Sequence, residues 1–130
     1  MKQTMLQEKY PLYVAEIDKS ETAYNTVDAL VDYYKARIAE NPKVRFIGVF
    51  DHFAHTTLIG GPIVEGMTAA VDIMFCFGFA IPTPQMLAVR PRSIGIADMG
   101  DMFVISFMEA PMAPANEAME RWTRELRSAA

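Results

Sequence analysis

The chain has 130 residues, of which 52% are hydrophobic and 22% charged, and its formal net charge is −4. That length fits a single domain, residues 1–130, which buries roughly two-thirds of its unfolded surface in one core, and the composition excludes disorder. The acidic balance, with no run of Lys or Arg, argues against nucleic acid as a partner, because phosphates call for a basic patch.

In chain order, Met1 to Tyr10 is polar and lacks the apolar stretch of a signal peptide. Leu12 to Asp18 reads as a strand, with Tyr13, Ala15 and Ile17 alternating with Val14 and Glu16. Ser20, Thr22 and Asn25 offer capping side chains for a helix over Thr26 to Ala39. In that helix Val27, Leu30, Val31, Tyr34 and Ile38 recur at helical spacing. Asn41-Pro42 stops it, since Pro disfavours helical geometry in the preceding residue. Val44 to Asp51 is a second strand, apolar on both sides, with Phe46 and Phe50 on one and Ile47 and Val49 on the other. The stretch from His52 to Thr68 is less regular. A helical turn fits Phe53 to Leu58, and Gly60-Gly61-Pro62 marks a turn.

Met67 to Ile81 is the longest apolar stretch, but Asp72 interrupts it and it is too short to span a bilayer, so no membrane role is expected. Within it, Val71 to Phe79 reads as a strand. Val71, Ile73, Phe75, Phe77 and Phe79 form a bulky core face, and Asp72, Met74, Cys76 and Gly78 form a small opposite face. Thr83 and Pro84 open a short helix to about Val89, which Pro91 ends. Arg92 to Asp98 and Asp101 to Met108 form a hairpin around Met99-Gly100. Pro114 opens a last helix to about Arg127, with Met119, Trp122 and Leu126 as its apolar stripe. The expected fold is therefore α+β, in the order β-α-β-β-α-β-β-α. It is a two-layer sandwich of about five antiparallel strands with helices on one face.

The other sheet face carries Met74, Cys76, Gly78, Gly95, Ala97, Met102, Val104, Ser106 and Met108. An antiparallel sheet usually turns polar residues to water, and apolar patches of this size are rarely left bare on monomers. Three covers are open: a second subunit, the 52–68 loop, or a flat apolar ligand. The ten methionines suit either an adaptable contact surface or the filling of irregular core gaps.

No established catalytic motif is present, which favours a non-enzymatic reading and leaves any cofactor unknown. Candidate ligand-binding residues are Asp51, His52, His55, Met74, Cys76 and Gly78. Asp51-His52-Phe53-Ala54-His55 ends a strand, and Asp51 could orient one imidazole. His52 and His55 are weak candidates for a metal or haem, with Met as a soft partner. The spacing is not that of zinc proteases. The plainer alternative makes Asp51 a helix cap and leaves the imidazoles bonded to backbone. Cys76, the sole cysteine, cannot form an internal disulfide, which with the polar N-terminus points to the cytoplasm. A sulfur or redox relay would need Cys76 to meet a His across the sheet. Arg90 and Arg92 around Pro91 suit a carboxylate or phosphate, with a solvated pair as the ordinary alternative. Three function classes result. The first is a binding or assembly homodimer with an apolar face or pocket for a small apolar ligand. The second is a small enzyme or relay using Cys76 with a His, and the third is a metal or haem binder.

Thr26-Val27 opening the first helix, Asp51-His52 closing the second strand, Phe77-Gly78 closing the third and Met102 to Phe107 together resemble a prokaryotic family, domain of unknown function 302. The resemblance covers about Leu12 to Phe107, although Phe79-Ala80 stands where that family has Asn-Pro. It implies a two-layer fold like half of the TATA-binding protein and frequent dimers. It implies no particular activity and nothing about DNA.

Overall fold

The computed structural model describes residues 1–128. Its six strands, β1 (Lys2–Leu6), β2 (Tyr10–Asp18), β3 (Arg45–Asp51), β4 (Ala69–Cys76), β5 (Arg92–Asp98) and β6 (Met102–Met108), form one sheet in the order β1-β2-β6-β5-β4-β3. Every neighbouring pair is antiparallel. Three α-helices accompany it: α1 (Val27–Ala39), α2 (His52–Leu58) and α3 (Ala113–Ser128). The chain is thus α+β, with six strands where about five were expected.

The extra strand is β1. Its sequence, KQTML, has no apolar alternation, and all five residues are exposed. What turns the chain back onto β2 is a pair of left-handed residues, Gln7 (φ 52°) and Glu8 (φ 61°). No Gly or Asn announces that turn, so the usual hairpin signal is missing.

The helices α1 and α3 cover one sheet face. Thr26 caps α1 by accepting the Ala29 N–H at 3.1 Å, the ordinary service of a β-region Thr before a helix. Its stripe of Val27, Leu30, Tyr34 and Ile38 is buried, as are Met119, Trp122 and Leu126 of α3. Against them the sheet turns Ala15, Ile17, Ile73, Phe75, Ile94, Ile96, Phe103, Ile105 and Phe107. The helices are also tied by polar contacts. Tyr34 Oη–H reaches Thr123 Oγ1 at 2.8 Å inside the core, Tyr33 donates to the Trp122 carbonyl, and Arg37 pairs with Glu125.

Two strand readings need correction. In β3 the register shifts between Phe46 and Gly48, leaving Ile47 as a bulge. Phe46 and Val49 therefore share the core side, opposite Phe75 and Ile73, while Gly48 and Phe50 stand on the other side, opposite Met74 and Asp72. An unbroken period of two had put Phe46 with Phe50, and the extra residue reverses the alternation after it. Second, β4 ends at Cys76. Phe77 lies beyond it, stacked on Trp122 at 5.9 Å. Phe79, expected in the core, is 76% exposed. The Pro84–Val89 segment is a 3-10 helix, behind Thr83 as expected.

Candidate ligand site on the free sheet face

The site grows from one row of the sheet. Asp72 of β4 stands opposite Gly95 of β5, and Gly95 stands opposite Ser106 of β6. Directly opposed residues share a face, so Asp72, Gly95 and Ser106 line up across the side away from α1 and α3. A Cβ at position 95 would lie 3.1 Å from Asp72 Oδ1 and 3.6 Å from the Ser106 carbonyl oxygen. The absence of a side chain there lets the Asp72 carboxylate rest over β5.

His52 comes to Asp72 from the helix that follows β3. The Asp51 side chain caps α2 by accepting the Ala54 N–H at 2.9 Å, which fixes His52 as the first helical residue. His52 Nε2 then meets Asp72 Oδ2 at 2.6 Å. A carboxylate can only accept, so Nε2 carries the proton of this contact. Phe50 holds the ring edge-on, with centroids 4.7 Å apart at 82°. The pair is partly open to water, with side-chain exposures of 47% for His52 and 31% for Asp72.

Around this row the free face is hollow. A cleft of about 330 Å³ lies over Asp72, Gly95 and Ser106, walled by His52, Met67 and Val104. A second hollow of about 370 Å³ shares Asp72, Gly95 and Ser106 and runs on to Leu6, Leu12 and Met108. Together they make one trough along the sheet. A smaller space of about 180 Å³ separates α2 from Pro62 and Met67 over Ala70. The 52–68 segment therefore lies over the Ala70 corner and walls one side of the cleft with His52 and Met67, and α2 lies on the side opposite the two long helices. The floor is small (Gly95, Ala97, Ser93), the rims are soft (Met67, Met99, Met108), and the polar groups are His52, Asp72, Arg92, Ser93 and Ser106. Such a trough can hold a mostly apolar body and orient it by one or two hydrogen bonds.

The sequence-derived candidates divide. His52 reaches the trough. Asp51 does not orient an imidazole, because its carboxylate is committed to the helix cap. His55 also packs against Phe50, with ring centroids 5.6 Å apart, and it is His52, not His55, that pairs with Asp72. No group of three or more His, Cys, Asp or Glu suited to a metal occurs among the described residues. Met74 lies on the free face, opposite Gly48. Cys76 stands opposite Arg45, four residues along β4 from Asp72, or about 13 Å. That separation leaves it no imidazole partner. Its Sγ accepts the Gly78 N–H at 3.2 Å, and a Cβ at position 78 would come within 2.9 Å of that sulfur. Gly78 is therefore required by the turn after β4. Arg92 donates to the carbonyls of Met108 and Glu109 at 2.9 and 3.1 Å, and Arg90 to that of Ala80 at 2.6 Å. Both guanidiniums thus brace loops.

Asp72 is the candidate site residue that sequence reasoning passed over. Its signal was the one it was read for, a lone carboxylate breaking an apolar strand. A charge on a mostly apolar face needs a partner, and the partner lay 20 residues earlier.

The profile of a family of unknown function, DUF6858, matches residues 1–128, so the chain belongs to that family. No curated protein and no solved structure matches it. Among the described residues no helix is long and apolar enough to cross a membrane.

Proposed function

We propose that the chain is a non-enzymatic binding protein that works as a homodimer, two copies stacking their free sheet faces over the His52–Asp72 trough. The observation that carries this is the trough itself: an antiparallel sheet face of small and soft residues that the chain's own 52–68 segment flanks but leaves open. Stacked sheets lie about 10 Å apart. At that spacing Leu6, Leu12, Met74 and Met108 are long enough to meet a partner, while Gly95, Ala97 and Ser93 are too short to fill the middle. Pairing would seal the rims and leave a chamber in which the His52–Asp72 pair, with Ser93 and Ser106 beside it, faces a small apolar ligand.

Sedimentation velocity at tens of micromolar, a concentration on the order of ordinary dimer affinities, tests the proposal. A dimer is expected, and Met108→Asp, which places a charge on the rim of the trough, is expected to give a folded monomer. A wild-type chain that stays monomeric at that concentration refutes it, as does a Met108→Asp variant that still dimerises.

A further inference from the structure

A second cavity lies away from the trough, at the end of the molecule where α3 begins. It measures about 500 Å³ and is bounded by the loop after α1, the segment after β4 and the start of α3. Its walls are apolar: Phe77, Phe79, Met112, Pro114 and Ala115. Phe79 leaves most of its ring bare to water beside it. A pocket of this size and lining is of the kind that takes small apolar ligands.

Two polar residues stand at its mouth, Asn41 and Lys43. Lys43 is the only charged residue of the lining, in a chain whose net charge is −4. Its ammonium sits 4.9 Å from the centre of the Phe79 ring. No ion pair to Lys43 forms among the described residues. The Asn41 side-chain oxygen accepts the Lys43 backbone N–H at 3.0 Å, which leaves its NH₂ to donate. One unpaired ammonium and one amide donor at the lip of an apolar cavity are complementary to one carboxylate on an aliphatic chain. The chain would cover the Phe77 and Phe79 rings, and the carboxylate would exchange the weak cation–ring contact for a charged hydrogen bond.

We propose that this cavity binds a free aliphatic carboxylate of medium chain length, tail against Phe77 and Phe79 and head on Lys43. The proposal is independent of the pairing of sheet faces. Phe77 stacks on Trp122 at 5.9 Å and 19°, and Trp122 is the chain's sole tryptophan, so a tail laid on Phe77 sits one ring away from an intrinsic reporter.

The test uses the full chain with decanoate and, as the uncharged counterpart, decanol, each kept below its aggregation threshold. Equilibrium dialysis with labelled ligand measures binding whatever the optical response, and Trp122 emission locates it. Decanoate is expected to bind saturably, with a change in Trp122 emission, and about fivefold or more tighter than decanol. Lys43→Gln, an exposed loop substitution with a urea midpoint expected to match the wild type, should erase that preference while leaving decanol binding as it was. No retention of decanoate in dialysis overturns the proposal. So do equal affinities for acid and alcohol, a preference that survives Lys43→Gln, or binding without any response of Trp122.

Discussion

Removing the Tyr34 hydroxyl should cost less than removing its partner, and removing both should cost well short of the sum. Tyr34 and Thr123 are both buried, and they join α1 to α3. Thr123 Oγ1–H donates to the Met119 carbonyl at 2.9 Å, so its single proton is committed and it must accept from Tyr34 Oη–H at 2.8 Å. Tyr34→Phe deletes one hydrogen bond but leaves the Thr123 hydroxyl bonded to Met119, a loss of about 1 kcal/mol. Thr123→Val keeps the shape and strands the Tyr34 hydroxyl in the core without an acceptor, which costs about 2 kcal/mol or more. In the double variant two apolar groups meet, the orphan is gone, and the total should be about 1 kcal/mol, well short of the sum. Urea unfolding followed by Trp122 emission gives the three values, with an unchanged slope as the check that midpoints report stability. A double variant whose loss equals the sum of the single losses refutes the proton arrangement.

The tyrosines make a second prediction. Burial, more than the neighbouring Glu125 carboxylate and against the pull of Arg37, pushes Tyr33 from an ordinary 10.0 up to about 12, and full burial takes Tyr34 higher still. The folded state therefore keeps protons that the unfolded chain gives up near the ordinary value. The stability these groups supply is whole below about pH 10 and drains away as pH rises through about 12. Phenolate absorbance should show Tyr33 and Tyr34 ionising together with the loss of near-ultraviolet dichroism, and their ionisation with the fold intact would contradict this. In the trough, Gly95→Val should push Asp72 off His52, because the added Cβ already comes within 3.1 Å of Oδ1. The nuclear magnetic resonance signal of the His52 Nε2 proton should shift or vanish while far-ultraviolet dichroism is kept, and an unchanged signal counts against the contact. Trp122→Ala, at a site only 2% exposed and packed on Phe75 and Phe77, should lose about 3–5 kcal/mol by dichroism-monitored unfolding.

Much of the fold was legible because periodicity reports burial. The stripe of α1, the alternation of Ile94 with Ile96 and that of Phe103, Ile105 and Phe107 all appear where the spacing put them. Reading failed where the determinant was not a pattern. Nothing local distinguishes Ile47 as the residue to be bulged, since Phe46, Val49 and Phe50 are equally apolar. Phe79 carries the same apolar signal as Phe75, yet the chain has left the sheet by then. At the site, the apolar free face and His52 could be read directly. The union of His52 with Asp72 could not, because it depends on two distant strands lying side by side, and the same is true of the cavity that gathers Lys43, Phe77 and Met112.

The bulge at Ile47 bears on how the chain avoids itself. β3 is an outer strand of the sheet, and Ile47 and Val49 are 52% and 41% exposed. An apolar border with unpaired backbone groups invites another chain to continue the ladder, as in fibrils. One surplus residue in mid-strand throws an arriving strand out of step after two rungs, so growth at that border stalls. Excising Ile47 would even the border, and the variant should form thioflavin-positive aggregates under conditions that leave the parent clear.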